Sequence, residues 1–425
     1  MIRRRGYILE QSLLLASLFP RMISAGHVFP TAGQFDFVPR TRLVFGPGSV
    51  GQVGELAREL GGQRVLLVTD PGIVKAGHAG QVSDALAKAG LHVSLFDRAK
   101  ENPTTRCVDE CVAVAAAEKI DLLIGLGGGS SMDTAKGCNF IFTNGGRMQD
   151  YWGVGKAKRP MLPLIAIPTT AGTGSECQSA ALIADEQTHM KMACLDPKAA
   201  ARIAILDPAL TVSQPARVTA CTGIDAIAHA VESAVTTRRN PLSQMYSREA
   251  FRLCVTSLPQ VLQHPKDVEA RGRMLLGAAY AGIAIENSML GAAHSAANPL
   301  TAHYDVVHGQ AVGMMLPLVI RFNAENPDAL RAYAELASGP ELATVKGGLT
   351  TALEALLARI ESLLNLAGCP RSLADCGVEP TKIQLLAEEA AKQWTANFNP
   401  RRIEAHDFVG LYEAAFNRRS DGDLV

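Results

Sequence analysis

The chain lacks net charge, because its 41 lysine and arginine residues balance 41 aspartate and glutamate residues. With a pI near 7.1, it has no overall positive field to attract nucleic acid or an anionic membrane. It also lacks an apolar run long enough to span a bilayer. One of the longest, residues 311–320, is too short and contains Pro317. These absences predict a protein without nucleic-acid or membrane partners.

The nine cysteines lack the C-x-x-C spacing that many zinc and redox sites use. Cys107 and Cys111 lie four residues apart on a predicted helix and could pair or bind a metal. We expect them to be reduced core thiols instead, as in most intracellular proteins. A cytoplasmic location follows as an expectation.

The sequence shows no internal repeat and no low-complexity tract. Its 48% hydrophobic content is enough for real cores and argues against disorder. A length of 425 residues favours two or three domains. We expect an N-terminal extension at 1–33, an α/β dinucleotide-binding domain at 34–210, and an all-helical metal-binding and substrate domain at 211–425.

The first 33 residues resemble a signal or transit peptide, because Arg3, Arg4 and Arg5 precede a short apolar stretch at 13–19. Against a signal peptide, glutamate and glutamine at residues 10–11 interrupt the hydrophobic region that one requires, and no clear cleavage site follows. Met22 could be the true start of translation. We therefore expect a dispensable extension or an overlong gene product rather than an export signal.

From residue 45 to about 208 the pattern alternates between strands and helices, and some of the strands are continuous apolar runs. Such runs are typical of buried parallel strands. Strands are predicted at 64–70, 92–96, 121–126 and 164–167, and helices at 50–60, 74–89, 105–118 and from 131 onward. This repetition predicts a parallel sheet with helices on both faces.

After about residue 208 the strand-like runs end and long alanine- and leucine-rich helical patterns begin. Helices are predicted at 220–237, 243–262, 269–285, 348–367 and 382–394. The chain is therefore expected to be an α/β protein with a parallel-sheet N-terminal domain and an all-helical C-terminal domain.

Four side chains of the kinds that bind metals fall in two clusters of the C-terminal half. Asp225 and His229 are four residues apart, so they project from one face of a helix. His294 and His308 form the second cluster. One carboxylate and three imidazoles suit a divalent transition metal, with Fe²⁺ and Zn²⁺ fitting about equally. Such a metal can polarise an alcohol or carbonyl oxygen as a Lewis acid.

A glycine-rich turn follows the predicted strand at 121–126 and suits a diphosphate, because its glycines let an anion approach the backbone N–H groups of the next helix. The turn lacks the G-x-G-x-x-G spacing of a Rossmann unit. A second polar segment, residues 168–173, follows the next strand at the same edge of the sheet, where ligands bind in open α/β sheets. Asp70 ends the strand at 64–70. It could accept from an adenosine ribose and repel a 2′-phosphate, or it could cap the following helix.

Six motifs in one order are specific enough to suggest a family. They are F-G-P-G-S-V at 45–50, G-G-G-S-S-M-D-T-A-K at 127–136, P-T-T-A-G-T-G-S-E at 168–176, I-L-D-P at 205–208, G-I-D-A-I-A-H-A-V-E at 223–232 and N-P-R at 399–401, with the His294 and His308 segment before the last. From about residue 35 to 416 the chain resembles the iron-containing, or group III, metal-dependent alcohol dehydrogenases.

The resemblance implies an active site in a cleft between two domains. Asp225, His229, His294 and His308 would hold the metal. The residues implied for NAD are Asp70, Gly127, Gly128, Gly129, Ser130, Asp133, Thr169, Thr170, Thr173 and Lys191. Asp70 matches the acidic position associated with NAD, and NADP is the less expected cofactor. Relatives are commonly homodimers or larger, so a homo-oligomer is expected.

Asn298 departs from the family pattern, since many members have histidine four residues after the first histidine of the second cluster. Asparagine does not titrate, so a proton must leave by another route, such as solvent or His303. We hypothesise that Asn298 hydrogen-bonds a polar substrate or a water molecule.

The resulting prediction is an NAD(H)-dependent, metal-dependent alcohol dehydrogenase or aldehyde reductase that acts on a small substrate. A hydroxyacid–oxoacid transhydrogenase with retained NAD is the nearest alternative, and a maleylacetate-reductase-like enzyme is another. A dehydroquinate-synthase-like lyase and a non-catalytic binding protein are less consistent with the ligand set.

Overall fold

The computed structural model describes residues 34–188, 190–339 and 347–417. By its internal contacts the chain divides between Asp36 and Phe37, and every element below belongs to the unit Phe37–Val425. The predicted extension at 1–33 lies outside the described residues.

Nine strands are described, all in the first half of the chain. They are β1 Arg42–Phe45, β2 Arg64–Val68, β3 His92–Phe96, β4 Leu122–Gly127, β5 Gly153–Val154, β6 Leu164–Pro168, β7 Ala180–Ala184, β8 Lys191–Leu195 and β9 Ile203–Leu206.

Fourteen α-helices are described. They are α1 Val53–Glu59, α2 Pro71–Lys75, α3 His78–Lys88, α4 Thr105–Glu118, α5 Gly129–Asn144, α6 Ala216–Ser233, α7 Pro241–Gln263, α8 Val268–Ser288, α9 Ala292–Tyr304, α10 His308–Asn323, α11 Pro327–Ala337, α12 Leu349–Leu366, α13 Ile383–Lys392 and α14 Ala405–Phe416. Short 3₁₀ segments lie between several elements. Ser175–Cys177 lies between β6 and β7, and Trp394–Phe398 lies between α13 and α14.

Six strands form one parallel sheet in the order β1-β9-β6-β4-β2-β3. Strand β3 lies on one side of β2, and the chain then returns to place β4 on the other side. The strand order therefore reverses between β2 and β4. Ligands bind at the carboxyl ends of strands at such a point, and here those ends lead into Asp70 and Gly127.

Both faces of this sheet are buried, as the continuous apolar runs predict. In β2, Val65 and Leu67 belong to one core cluster and Leu66 and Val68 to another, because neighbouring side chains of a strand point to opposite faces. Helices α1 and α3 cover the first face, and α4 and α5 the second. The sheet is thus fixed from both sides, which makes its carboxyl edge a rigid platform.

A small second sheet, in the order β5-β8-β7, packs beside α5. Strands β7 and β8 run antiparallel, with Ala184 opposite Lys191. This sheet carries Lys191, one of the residues predicted to contact the cofactor.

No strand follows Leu206 in the described part of the chain, and the helices from α6 onward share one large apolar core. Helix α6 is buried along almost its whole length after Ala220 and packs against α7, α8 and α10. Its small residues allow these close approaches, so any polar residue it carries is taken into the interior. The predicted combination of a parallel sheet and a mostly helical C-terminal region is confirmed.

One predicted helix was wrong, and two observed helices were not predicted. The helix predicted at 74–89 is two helices, α2 and α3, because Gly77 adopts a left-handed conformation with φ of 86° between them. Helices α9 and α10 were not predicted, and each contains an internal proline, Pro299 or Pro317. The division into domains at residue 210 stays a prediction.

Among the described residues, no helix is both long and apolar enough to cross a membrane. The nine cysteines are free, and eight of them are buried.

Candidate active site and metal centre

Helix α6 places Asp225 and His229 on one buried face. Their side chains lie one helical turn apart, and His229 Nε2 is 3.5 Å from Asp225 Oδ1. Only 4% of Asp225 and 5% of His229 is exposed. A carboxylate and an imidazole this deeply buried need partners, since burying an uncompensated charge is costly.

Two further helices bring the remaining imidazoles to the same carboxylate oxygen. Near the start of α9, His294 lies with Nε2 3.4 Å from Asp225 Oδ1, and its ring stacks on that of His229. His308 begins α10, and its Nε2 is 3.8 Å from Asp225 Oδ1. Gly309 makes this approach possible, because a Cβ there would lie 2.0 Å from the carbonyl oxygen of Cys221 in α6.

Three of the four side chains lie close enough together to hold a divalent cation, and His308 lies beside them. Ligand atoms of Asp225, His229 and His294 lie within 4.8 Å of one another. Asp225 Oδ1, His294 Nε2 and His308 Nδ1 are buried without any hydrogen-bond partner. Buried polar atoms are almost always satisfied, and a cation bound between Asp225 Oδ1 and His294 Nε2 would satisfy these two atoms. His308 lies toward Asp225 with its other ring nitrogen, Nε2. One oxygen and three nitrogen ligands suit Fe²⁺ or Zn²⁺.

The electrostatics of the cluster without a cation show how strongly these groups interact. Burial alone would raise the pKa of Asp225, but the imidazoles of His229, His308 and His294 outweigh it and hold that pKa well below its usual value. Burial lowers the pKa of His308 to about 3, and it also lowers that of His229. Burial would lower the pKa of His294 too, but Glu232 and Asp225 overcome this effect and raise it to about 9.

Two residues that the sequence did not single out hold the imidazoles in place. His229 Nδ1 donates to the carbonyl oxygen of Gly172 at 3.3 Å, which leaves Nε2 facing Asp225. His294 Nδ1 contacts the carboxylate of Glu232. Both residues lie inside the family motifs, and Glu232 is seven residues after Asp225, on the same helical face. That spacing was the available signal for Glu232.

The glycine turn lies across the sheet edge at the point where the strand order reverses. Gly127 has φ of 142°, a conformation that favours glycine, and a Cβ there would lie 2.6 Å from Ser131 Oγ. Gly128 precedes α5, which begins at Gly129 and includes Ser130 in its first turn. The free N–H groups of a helix start bind anions such as a diphosphate.

Asp70 performs the capping role that was the alternative interpretation, and it also reaches the glycine turn. Its Oδ1 accepts from Ile73 N at 3.1 Å, so it caps α2. Its Oδ2 accepts from Ser131 Oγ at 3.3 Å. The carboxylate therefore lies beside the turn that would hold the cofactor.

The three predicted threonines take different positions. A Cβ on Gly129 would lie 2.9 Å from Thr173 Cγ2, and one on Gly128 would lie 3.6 Å from Thr170, so both threonines lie over the glycine turn. Thr169 is fully buried and accepts from Gln214 Nε2 at 3.1 Å. Thr170 and Thr173 therefore lie at the glycine turn, whereas Thr169 is bonded to another residue in the interior of the protein.

Asp133 and Lys191 connect the glycine-turn helix with the metal cluster. Asp133 accepts from Ser175 Oγ at 2.8 Å and from Leu182 N at 3.3 Å, so both its oxygens have protein partners. Burial lowers the pKa of Lys191, and the charges of Asp133 and Asp225 oppose that effect. Lys191 is therefore within electrostatic range of both carboxylates. A direct contact of Asp133 with a cofactor stays a prediction.

Asn298 lies one turn after His294 in α9, and its amide is engaged. Its Nδ2 donates to Gln393 Oε1 at 3.0 Å. His303, the other proton route considered, lies on the protein surface with Nε2 2.7 Å from Glu389 Oε2. A contact of Asn298 with substrate stays a prediction.

Comparison with known proteins agrees with this geometry. The family model described as iron-containing alcohol dehydrogenase matches residues 39–208, and the model of the C-terminal region of the Fe-containing alcohol dehydrogenase family matches residues 219–416. Together they cover most of the chain. The chain belongs to the iron-containing alcohol dehydrogenase family. It is therefore an oxidoreductase, and the resemblance seen in the sequence motifs is confirmed.

The family relatives cover nearly the whole described chain. The NAD-dependent methanol dehydrogenase of Bacillus methanolicus is 35% identical over 382 residues, which are 89% of this chain and 99% of that protein. The 1,3-propanediol dehydrogenase of Klebsiella pneumoniae is 34% identical over 387 residues, 90% of this chain and 99% of that protein. The crystal structure of a 1,3-propanediol oxidoreductase superposes with a TM-score of 0.86 at 33% identity, covering 90% of this chain and all of that one. These relatives favour the alcohol dehydrogenase over the transhydrogenase and maleylacetate-reductase alternatives.

Proposed function

We propose that this iron-containing alcohol dehydrogenase transfers hydride between NAD(H) and a small alcohol or aldehyde that reacts at the Asp225–His229–His294–His308 centre. The observation that carries the proposal is the close grouping of Asp225, His229 and His294, with His308 beside them, around two buried atoms without partners. Those atoms are Asp225 Oδ1 and His294 Nε2. Lys191 interacts electrostatically with both this centre and Asp133 on α5. This shared electrostatic interaction supports placing the metal centre and the glycine turn in one site.

A divalent metal held by these four side chains supplies Lewis acidity toward the oxygen of the substrate, and the nicotinamide ring accepts or donates the hydride. The contribution of the protein is to position these groups. The carbonyl oxygen of Gly172 accepts from His229 Nδ1 and so orients that ring, and the buried surroundings of Asp225 keep water away from its carboxylate. Exclusion of water strengthens the electrostatic interactions within the site.

The cofactor preference is proposed to be NAD, on the basis of Asp70. A carboxylate at the edge of the glycine turn can accept from a ribose hydroxyl and repels a 2′-phosphate. The hydrogen bonds from Ile73 N and Ser131 Oγ hold that carboxylate in place. The Bacillus methanolicus relative is an NAD-dependent enzyme by its name, which supports the same choice.

The substrate is proposed to be a small alcohol or aldehyde, in keeping with methanol and 1,3-propanediol in the names of the two relatives. Iron and zinc both remain suited to the centre, since either accepts one carboxylate and three imidazoles. We further propose a cytoplasmic homodimer, on the basis of the buried free thiols and the family resemblance.

The test is an NADH-oxidation assay on chelator-stripped protein, with Fe²⁺ or Zn²⁺ added back, against a panel of small aldehydes and oxoacids. Turnover of an aldehyde that returns only with metal is the expected result, and it would identify both the metal and the substrate class. Absence of turnover with either metal would contradict the proposal. Turnover of a hydroxyacid with an oxoacid, without added NAD, would favour the transhydrogenase instead.

His229→Ala is the matching variant, because it removes one imidazole from the centre. We expect metal-dependent turnover to fall by about 100-fold or more, since loss of one ligand leaves Asp225 buried with fewer partners. Retained activity in this variant would exclude the proposed metal centre.

A further inference from the structure

Glu232 is a carboxylate whose two oxygens contact different groups, the ring of His294 and the backbone of Ala293. It lies in the last turn of α6, and only 2% of it is exposed. Its Oε2 contacts His294 Nδ1, and its Oε1 accepts from the backbone N–H of Ala293 at 2.7 Å. One carboxylate thus holds both the ring of His294 and the backbone immediately before it.

The absence of a side chain at Gly291 lets Glu232 and Asn399 approach the backbone closely. A Cβ on Gly291 would lie 3.1 Å from Glu232 Oε1 and 3.0 Å from Asn399 Oδ1. Asn399 Oδ1 accepts from Ala292 N at 3.2 Å. Glu232 and Asn399 therefore hold consecutive N–H groups at the start of α9, where helical N–H groups have no partner within the helix.

The contact with the ring determines which nitrogen is free. A carboxylate without a proton only accepts hydrogen bonds, so Nδ1 of His294 must carry a proton. In the neutral imidazole that leaves Nε2 as the lone-pair nitrogen, and Nε2 is the atom that lies 3.4 Å from Asp225 Oδ1 without a hydrogen-bond partner. Histidines that bind metals commonly donate their other N–H in this way.

We infer that Glu232 is a positioning residue for the metal centre, which fixes the protonated nitrogen and the ring orientation of His294. The inference rests on the proposed metal-dependent function. Capping of α9 alone does not explain the geometry, because a cap needs one oxygen and Glu232 commits its second oxygen to the ring. Glu232 is also the second buried carboxylate, in addition to Asp225, beside the proposed site for a divalent cation.

Glu232→Gln tests the inference with almost no change in size. The amide offers one accepting oxygen and a donating NH₂ group, whereas Ala293 N and His294 Nδ1 both donate to the native carboxylate. If the oxygen stays on Ala293 N, the NH₂ group faces Nδ1 and favours the imidazole form with its proton on Nε2. We expect the dissociation constant for Zn²⁺, measured by competition with a chromophoric chelator, to rise by about 10- to 100-fold. Glu232→Asp keeps a carboxylate, so its Zn²⁺ dissociation constant should lie between those of the unaltered protein and Glu232→Gln.

Glu286→Gln is the matched control. Glu286 is also a largely buried carboxylate that accepts from a backbone N–H and a side chain, Ser179 N at 2.9 Å and Ser179 Oγ at 2.7 Å, but it contacts no imidazole. We expect its Zn²⁺ dissociation constant to match that of the unaltered protein.

A second readout separates positioning from a structural role. In zinc-loaded protein labelled with ¹⁵N-histidine, the Nδ1–H of His294 should give a downfield resonance protected from exchange, and Glu232→Gln should remove it. Equal zinc affinity and an intact resonance in Glu232→Gln would overturn the inference while leaving the proposed function in place. Failure of the unaltered protein to bind Zn²⁺ or Fe²⁺ would overturn both.

Discussion

Ser131 Oγ donates a hydrogen bond of 3.3 Å to Asp70 Oδ2, and so joins the segments that follow strands β4 and β2. These two strands are neighbours in the sheet but are separated in sequence by β3 and three helices, α2, α3 and α4. The contact fixes a negative charge beside the glycine turn at Gly127. The position of that charge relative to a bound dinucleotide is therefore set by the sheet rather than by a mobile loop.

The first prediction concerns cofactor choice. Asp70→Asn removes the charge and retains a good N-cap for α2. Like charges placed together cost up to several kcal/mol, so the ratio of kcat/KM for NADPH to that for NADH should rise about tenfold or more. Asp70→Gly, which removes the carboxylate altogether, should act in the same direction. An unchanged ratio in both variants would show that another residue sets the preference.

The second prediction separates two roles of the glycine turn. In Gly127→Ala the new Cβ would lie 2.6 Å from Ser131 Oγ at a φ of 142°, so the melting temperature and NADH affinity should both fall. In Gly128→Ala the nearest atoms, on Thr170, lie at 3.6 Å, an ordinary contact. That variant should keep its melting temperature within about 2 °C, as for a change below 0.5 kcal/mol, yet bind NADH at least about tenfold more weakly.

Fluorescence titration of NADH and thermal unfolding of both variants provide the measurements. Zinc affinity is the internal control, because neither glycine contacts the metal centre. Unchanged NADH affinity in Gly128→Ala would mean that the cofactor does not approach the backbone at this turn.

The sequence predicted the regular part of the fold because local signals and tertiary packing agree there. Strand β3 and helix α4 have the predicted limits, and Thr104 caps α4 by accepting from Cys107 N. The edge strand β1 and the β7–β8 hairpin were missed. They are short and carry half-exposed residues that interrupt an apolar run. In α10, Pro317 lies inside the helix, and burial of most of that helix overrides the local cost of the proline.

For the candidate site, too, some positions follow from the sequence and others do not. Asp225 and His229 share a face of one helix, so their proximity follows from helical periodicity. The approach of His294 and His308 follows from the packing of α9 and α10 on α6, for which the resemblance to a family was the only source. The role of Gly172 was not predictable, because it depends on one carbonyl oxygen meeting an imidazole nitrogen from a distant segment. Helical spacing places Glu232 on the same face as Asp225, but its contact with His294 depends on the packing of a distant segment.

The third prediction concerns protons at the metal centre. Without metal, the pKa of His294 is raised to about 9, so its imidazole is protonated at pH 7. A metal must displace that proton, so zinc binding at pH 7 should release about one proton, and none above about pH 10. Calorimetric titration in buffers of different ionisation enthalpy measures the number released. Release of no proton at pH 7 would contradict the assignment of His294 as a ligand.

The same shift predicts the pH dependence of stability. A histidine whose folded-state pKa is raised stabilises the metal-free protein fully below its unfolded pKa of 6.5 and loses that effect as the pH rises through about 9. The loss for this single group is about 3 kcal/mol at most. The difference in melting temperature between zinc-loaded and metal-free protein, at fixed free zinc, should therefore widen between pH 6.5 and pH 9.

The last prediction concerns Asn298 as a determinant of substrate polarity. Its Nδ2 donates to Gln393 Oε1 at 3.0 Å, and it follows His294 by one helical turn. If its remaining amide oxygen accepts from a hydroxyl on the substrate, Asn298→Ala should raise KM for hydroxy-substituted aldehydes by about three- to tenfold, the value of one hydrogen bond. KM for unsubstituted aldehydes of the same length should change by less than about twofold.

Gln393→Ala provides the second arm of a double-mutant cycle. Because Gln393 holds the Asn298 amide by a single hydrogen bond, its removal should weaken the same preference, and the double variant should lose little more than Asn298→Ala alone. Such non-additivity identifies residues that act together. Fully additive effects would show that Gln393 does not act through Asn298 in selecting the substrate. Unchanged kinetics in Asn298→Ala across the whole panel would show that Asn298 does not select the substrate either.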